Sequence, residues 1–259
     1  MSLKVSIITP TYNSAATLMD CIASVVQQDY TNVEYVIIDG NSKDNTKALI
    51  ANAMEQYPQI KYLSESDFGV YDALNKGISM VTGDIIGFVH SDDFLANPKV
   101  ITTIVEAFST TNCEAVYGDL EYVNKKHTLK VIRYWKSCNF NSKFLRRGWM
   151  PPHPTLFLKK SVYDKNGIFN ITYKIAADYD YVLRIFRDEQ LVSCYLPIVM
   201  TKMRIGGISN RSLKNIILKS REDYKILKQN KFSSPLYTLL FKNLTKLKQF
   251  EKLSILFQK

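Results

Sequence analysis

The sequence predicts an α/β fold in which a mostly parallel central sheet is flanked by helices and followed by an amphipathic helical pair at the C-terminus. Short apolar runs alternate with helical patterns from the start of the chain, as in sheets whose strands are connected by helices. Several of these runs are nearly continuous in Ile, Val and Phe, which is typical of strands buried on both faces. Residues 211–259 carry apolar residues every three or four positions, which is a helical spacing.

The first half of the chain reads as four strands, each followed by a helix. The predicted strands are Val5–Thr9, Val33–Ile38, Ile60–Leu63 and Asp84–Val89. Ser14 and Asp44 are predicted to cap the first two helices. The third helix is predicted at Val70–Val81 and the fourth at about Pro98–Phe108.

The pattern is looser in the second half of the chain. The predicted elements are a hairpin of Ala115–Val123 with Leu129–Trp135, a strand at Thr155–Leu158 and a helix at Tyr179–Phe186. Two amphipathic helices then follow, separated at Ser233-Ser234-Pro235. No linker marks a domain boundary before about residue 210, so residues 1–210 are expected to form one domain and 211–259 an appended helical pair.

Composition excludes several classes of protein. The chain has 259 residues, of which 46% are hydrophobic and 22% charged, so it can bury a core. No run reaches the ~18 consecutive apolar residues that span a bilayer, and the N-terminus lacks the pattern of a secretion signal. The four cysteines are scattered without a nearby histidine, which favours reduced thiols in the cytoplasm.

The basic charge lies almost entirely at the C-terminus. The net charge is +10, and residues 211–259 hold 12 of the 34 Lys and Arg but only 3 of the 24 Asp and Glu. One interpretation is a helical pair packed on the body with a solvated lysine face. The other is a basic amphipathic surface on anionic lipid, at the inner face of the cell membrane. Nucleic acid is not favoured as a partner, because few aromatic residues are placed to stack on bases.

Polar side chains follow three of the first four predicted strands, in Pro10-Thr11-Tyr12-Asn13, at Asp39 and in His90-Ser91-Asp92-Asp93. Ligands collect beyond the carboxyl ends of such strands, so we expect these loops to meet at one crevice. Neither a dinucleotide glycine motif nor a P-loop is present. The adjacent carboxylates Asp92 and Asp93 are consistent with a divalent cation on a diphosphate, or with a simple turn and helix cap.

Residues 4–94 resemble the family 2 glycosyltransferases, which have the GT-A fold with a Rossmann-like sheet, and in particular a branch that builds bacterial polysaccharides. The similar segments are Val5–Asn13, Val36–Thr46, Glu65–Gly77, Gly83-Asp84 and Ser91-Asp92-Asp93. Shorter matches to the acceptor side of the family are His153–Phe157, Ala177–Asp180 and Gly206-Gly207-Ile208-Ser209.

The resemblance implies a nucleotide site. In that reading Asp39 accepts the N3 hydrogen bond of a uracil-like base, Pro10 and Tyr12 form the wall against which the base packs, and Asp67 contacts the nucleoside. Asp92 reaches the ribose or the metal.

The phosphate side of the site follows from the same resemblance. Asp93 is predicted to coordinate Mg²⁺ or Mn²⁺ against the diphosphate. Leu74 stands where the family often has an arginine, and Lys76 is predicted to supply that positive charge. His90 stands where the branch usually has Asn or Asp, and a packed histidine is the more common role than a metal ligand.

On the acceptor side, Asp178 is predicted to be the catalytic base of an inverting transfer, with Asp180 as the fallback. Either residue is also a plausible helix cap on its residue type alone. His153, among three prolines, is expected either to shape a rigid loop or to touch the acceptor.

The resulting expectation is a metal-dependent inverting transferase that moves a sugar from a nucleotide diphosphate, UDP favoured, to a hydroxyl of a growing or lipid-linked glycan. Residues 1–95 are expected to form the nucleotide half and 96–210 the acceptor half. The alternatives are a nucleotidyltransferase that makes sugar nucleotides, and a non-catalytic nucleotide-sugar-binding protein.

Overall fold

The computed structural model describes residues 2–206 and 213–251, which form nine strands and eight α-helices. The strands are β1 Val5–Thr11, β2 Val33–Asp39, β3 Ile60–Ser64, β4 Ile85–Phe88, β5 Asp93–Leu95, β6 Ala115–Val123, β7 Val131–Trp135, β8 Phe157–Lys159 and β9 Ser193–Arg204. The helices are α1 Leu18–Val26, α2 Thr46–Gln56, α3 Val70–Met80, α4 Val100–Thr110, α5 Lys160–Asn166, α6 Ala177–Phe186, α7 Leu213–Gln229 and α8 Pro235–Glu251.

One mixed sheet runs through the molecule in the order β3-β2-β1-β4-β8-β6-β9-β5, with β7 beside β6. The first four strands are parallel, as predicted. The half beyond β4 is mixed, because β8 is antiparallel to both β4 and β6 whereas β9 is parallel to β6. The predicted α/β fold is confirmed, although the parallel arrangement holds mainly for the first half.

The core lies on both faces of this sheet. On one face, Ile8, Val36 and Phe88 pack with α3 and α6. On the other, alternate residues of the same strands, such as Ile7 and Ile37, pack with α1 and α4. Burial on both faces explains why these strands read as continuous apolar runs.

Several predicted boundaries are wrong. Ser14 does not cap α1, which begins at Leu18; its hydroxyl instead lies 2.8 Å from the Ser91 hydroxyl. The predicted strand at Thr155–Leu158 begins only at Phe157, after a 3-10 turn. α6 begins at Ala177, two residues before the predicted start.

The C-terminal helices pack on the body, as one of the two sequence-based interpretations predicted. α7 contacts α6, and α8 contacts α7, β7 and the 3-10 turn Ser142–Arg147. Ile226 and Leu227 of α7 are fully buried in the same cluster as α3 and α6. Among residues 2–206 and 213–251, no helix is both long and apolar enough to cross a bilayer.

Candidate active site

The loops after β1, β2 and β4 meet at one edge of the sheet, as predicted. The Asn13 amide donates to the Ser42 hydroxyl at 2.8 Å, and the Lys43 amide donates to Asn13 Oδ1 at 2.8 Å. Thr17 Oγ1 donates to the Ser91 carbonyl at 2.9 Å. Asn13 has a positive φ, a conformation that asparagine tolerates better than most residues and that turns the chain sharply after β1.

Tyr12 and Asp67 lie together above the end of β2. A Cβ at Gly40 would lie 2.5 Å from Asp67 Oδ2 and 3.3 Å from the Tyr12 ring, so a larger residue there would displace the Asp67 carboxylate. Tyr12 is exposed, and Pro10 is buried beneath it. The loops after β1, β2 and β3 therefore place an exposed aromatic ring and a carboxylate together at the mouth of the crevice.

Asp39 is fully buried at the end of β2, directly below this mouth. Its Oδ2 accepts a hydrogen bond from Ser64 Oγ at 2.6 Å, and Oδ1 accepts from the Ser42 hydroxyl. Tyr62 OH lies 3.5 Å from Oδ2. Asp39 thus anchors the ends of β2 and β3, and an incoming base would have to displace one of these hydroxyl groups to reach it.

Lys76 does not present a free charge to the crevice. Its ammonium group lies 2.9 Å from Glu65, 3.5 Å from Asp72 and 2.9 Å from the carbonyl of Ser66. Hydrogen bonding to Glu65 and the two carboxylate charges raise the pKa of Lys76 against the opposing effect of burial. In this structure Lys76 stabilises the loop between β3 and α3.

Asp92 and Asp93 have different surroundings. Asp92 is half-buried, whereas Asp93 has no exposed surface and its Oδ1 accepts the Arg204 amide at 3.1 Å. Burial, with the Asp92 charge beside it, raises the pKa of Asp93 well above its ordinary value. The prediction placed Asp93 against the metal. In this structure Asp92 is the more accessible of the two carboxylates, and Asp93 Oδ2 is buried without a hydrogen-bond partner.

Arg204 holds the acidic loop in place, a role that the sequence did not indicate. Its guanidinium donates to the Asp92 carbonyl at 2.8 Å, pairs with Asp20 and lies over the Phe94 ring. Since its charge is used within the protein, Arg204 positions Asp92. Gly206 follows with a positive φ; Gly207, Ile208 and Ser209 of the predicted loop lie outside the described residues.

Asp178 is half-buried in the first turn of α6. Its Oδ1 accepts the Tyr179 amide at 2.8 Å and lies 3.2 Å from the hydroxyl of Tyr71. That hydroxyl donates to the carbonyl of Ile175 at 2.7 Å. Tyr71 belongs to α3, so a residue of the donor half contacts Asp178. The sequence motif contains Tyr71 but does not indicate this contact.

Asp180 faces away from Asp178. It forms an ion pair with Arg184 at 2.7 Å, one turn further along α6. Side chains two positions apart on a helix point in different directions, as expected for Asp178 and Asp180.

His90 and His153 line the floor between Asp92 and Asp178. Their ring centroids are 6.3 Å apart, and both ring nitrogens of His153 are buried without a hydrogen-bond partner. Burial lowers the pKa of His153 to about 4, with Asp178 acting in the opposite direction. Burial also lowers the pKa of His90, and the charges of both Asp92 and Asp178 oppose this. The charges of acids on both sides of the crevice therefore act on the pKa of His90.

A divalent cation fits these residues only if the protein and a bound substrate together supply its ligands. Among residues 2–206 and 213–251, no three His, Cys, Asp or Glu side chains lie together as a metal cage. Mg²⁺ is commonly held by one or two carboxylates together with substrate phosphates and water, and Asp92 offers one such carboxylate. The residues present are thus compatible with a metal that arrives with a diphosphate.

The family model for Glycosyl transferase family 2 matches residues 6–171, more than half of the chain. The chain belongs to the family 2 glycosyltransferases. A PGL/p-HBAD biosynthesis glycosyltransferase of Mycobacterium bovis (strain BCG / Pasteur 1173P2) is 29% identical over 218 residues, which cover 83% of this chain and 82% of the relative. An uncharacterized glycosyltransferase of Mycobacterium tuberculosis (strain ATCC 25618 / H37Rv) is 31% identical over 182 residues, covering 70% of this chain and 68% of the relative.

Solved structures of similar shape confirm the predicted GT-A fold. S. aureus TarS 1–349 in complex with UDP-GlcNAc matches with a TM-score of 0.70 at 17% identity, over 88% of this chain and 65% of that one. The chain spans only 39% of the longer TarS structure. The mannosyltransferase PcManGT from Pyrobaculum calidifontis, in complex with GDP-Man and Mn²⁺, matches with a TM-score of 0.66 at 17% identity, over 94% of this chain and 69% of that one.

Proposed function

We propose that this glycosyltransferase moves a sugar from a nucleotide diphosphate to a hydroxyl of a growing surface glycan, with inversion at the anomeric carbon and with a divalent cation. The observation that carries the proposal is the placement of two half-buried acids, Asp92 and Asp178, around the half-buried His90. One acid lies on the donor side of the crevice and the other on α6. Inverting transfer needs groups on opposite faces of the sugar.

On the donor side we propose that residues 1–95 bind the nucleotide. The base packs against Tyr12 and Pro10, with Asp67 beside the nucleoside. Asp39 accepts the N3 hydrogen of uracil once a serine hydroxyl turns away, because a carboxylate is an acceptor-only group. Guanine would need other partners, so UDP is the favoured carrier.

Asp92 is the residue that we propose to hold Mg²⁺ or Mn²⁺ against the diphosphate, with Asp93 behind it. When bound, the cation neutralises the charge that develops on the leaving diphosphate. Arg204 keeps Asp92 at this edge through the carbonyl contact of 2.8 Å.

On the acceptor side, residues 96–210, Asp178 accepts the proton of the attacking hydroxyl. The nearby Tyr71 hydroxyl and the Tyr179 amide keep the carboxylate oriented before the transfer. His153 packs beside His90 with both ring nitrogens buried, which favours its role in shaping the loop over contact with the acceptor. The acceptor class we propose is a glycan or lipid-linked glycan, reached from the cytoplasm by a peripheral protein at the inner face of the cell membrane.

A thermal-shift panel tests donor binding. UDP-, GDP-, dTDP- and CMP-linked sugars are added with and without Mn²⁺; a bound donor stabilises the protein by about 2.7 kcal/mol at a hundredfold excess over its dissociation constant. We expect the largest shift with a UDP-sugar and Mn²⁺. A larger shift with a GDP-sugar would contradict the base assignment, and no shift with any donor would contradict the proposed function.

A further inference from the structure

Helix α8 keeps Leu239 against the core but exposes a stripe of leucines. Its polar residues Thr238 and Lys242 are buried against the body, whereas Leu236, Leu240 and Leu244 are 70%, 57% and 46% exposed. These leucines are spaced by four and lie on one face. A surface helix normally turns such a stripe toward the core.

Specific contacts fix this orientation. Thr238 Oγ1 donates to the carbonyl of Arg146 at 2.9 Å. Lys242 forms an ion pair with Asp223 of α7 at 2.8 Å, and its ammonium group lies over the Tyr179 ring of α6. Rotating α8 to bury the leucines would leave Asp223 buried without its partner, which is strongly unfavourable. The exposed stripe is therefore a feature of the packed state.

The charged side chains that the adjacent helix α7 exposes are all positive. Its exposed side carries Arg221, Lys225 and Lys228, while its two acids, Glu222 and Asp223, are buried. Within residues 214–245, every exposed charged side chain is basic.

We propose that the exposed sides of α7 and α8 form a docking surface for anionic lipid. The leucine stripe of α8 enters the boundary between headgroups and acyl chains, and the basic residues of α7 bind lipid phosphates. A second copy of the chain fits less well, because it would bring two basic surfaces together. This surface rests on the peripheral location proposed above. Vesicle binding needs no turnover, so loss of vesicle binding is distinguishable from loss of sugar transfer.

Sedimentation of the full chain with vesicles tests this surface. The vesicles are phosphatidylcholine alone or phosphatidylcholine with phosphatidylglycerol, at low and high salt. We expect binding only to the acidic vesicles and weaker binding at high salt. A basic residue near such a surface is worth about 1 kcal/mol, or roughly fivefold in affinity, so Arg221→Gln/Lys225→Gln/Lys228→Gln should weaken binding by about 10²-fold.

The apolar stripe has its own variant, Leu236→Ser/Leu240→Ser/Leu244→Ser. Because these side chains are already exposed, the thermal unfolding temperature should not fall, while vesicle binding should weaken by at least about tenfold.

The β6–β7 hairpin supplies matched controls, Lys125→Gln/Lys126→Gln/Lys130→Gln and Leu129→Ser, since these side chains are exposed and Leu129 is 94% accessible. The controls should bind like the wild type. Equal vesicle binding by the α7 and α8 variants, loss in the hairpin controls instead, or no binding by the wild type would each overturn the proposal. A dimer in light scattering that the leucine variant abolishes would assign the surface to a second copy.

Discussion

Adjacent residues in the acidic loop differ in their access to solvent. Asp92 is half-buried at the edge of the crevice, and Asp93 is enclosed by β5 and β9. The sequence indicates a pair of carboxylates but not which one faces the ligand. That choice is made by the pairing of Asp93 with Met203 and by the Arg204 amide, more than a hundred residues away along the chain.

This difference predicts distinct effects of Asp92→Asn and Asp93→Asn. Asp92→Asn should lose the Mn²⁺-dependent part of donor binding, because it removes the accessible carboxylate. Asp93→Asn should keep it, because Asp93 has no exposed surface and an asparagine oxygen can still accept the Arg204 amide. Calorimetry with UDP, with and without Mn²⁺, measures both. If Asp93→Asn loses the Mn²⁺-dependent part of donor binding and Asp92→Asn keeps it, Asp93 and not Asp92 is the metal ligand.

Asp178→Asn should bind donor normally while transfer falls by about 10²–10⁴-fold, the loss typical of a general base. Asp180→Asn is the matched control, because Asp180 is paired with Arg184 and faces away from the crevice. Initial rates and donor dissociation constants of the two variants provide the comparison. A dead Asp180→Asn beside an active Asp178→Asn would move the base by two residues.

At the scale of elements, α7 takes part in orienting α6. The buried carboxylate of Glu222 accepts the backbone amides of Lys174, Ile175 and Ala176 at 2.8, 2.9 and 2.9 Å. These three residues lead directly into α6 and Asp178. The sequence indicated a basic C-terminal helical pair, and one of its few acids fixes the segment that carries the proposed base.

Glu222→Gln should therefore lower kcat more than it changes the donor KM, because a glutamine offers a single acceptor oxygen to three amides. Hydrogen bonds to charged groups are worth about 1.5–3 kcal/mol, which sets the scale of the accompanying loss of stability. Glu189→Gln, at an exposed glutamate just after α6, is the control. Glu222→Asp should recover part of kcat. If kcat and KM stay at the wild-type values while only stability falls, Glu222 is structural and does not position Asp178.

The first-half elements were predictable because each buried strand is a local apolar run that ends in polar residues. β9 was not, because Pro197 and Lys202 interrupt its apolar run and its pairing with β6 is formed between distant segments. β5 is only three residues long and exists through its pairing with β9. For the candidate site, the acids were identifiable from their motifs, whereas Tyr71, Arg204 and Glu222 act through contacts between distant segments.

On the scale of the whole molecule, the helical spacing of residues 211–259 predicted two helices but not which side faces the body. The leucines of α8 were the natural candidates for burial. The structure buries Lys242 instead, because Asp223 of α7 and the Tyr179 ring are placed to receive it. The orientation of α8 depends on partners in two other helices, so the local sequence of α8 does not predict it.

Acid should destabilise the whole fold through His153. Its pKa is about 4 in the folded protein and about 6.5 when unfolded, so the unfolded state binds a proton that the folded state excludes. Stability is complete above about pH 6.5 and decreases as the pH falls, by about 3 kcal/mol near pH 4. His90 acts in the same direction, and the charge of Asp178 faces both rings.

Urea unfolding across this pH range should show a shallower acid dependence for His153→Phe, which keeps a ring beside Phe88 and Phe169. His127→Phe is the control, because His127 is exposed. Identical pH profiles for His153→Phe and the wild type would contradict the assignment.

The central claim is metal-dependent sugar transfer in the crevice between Asp92 and Asp178. The most direct measurement is the release of UDP from a UDP-sugar, followed over time with Mn²⁺ and then with excess chelator, in the wild type and in Asp178→Asn. We expect release that needs Mn²⁺ and that largely disappears in Asp178→Asn, although this variant still binds the donor. Equal release in excess chelator, or undiminished release by Asp178→Asn, would contradict it.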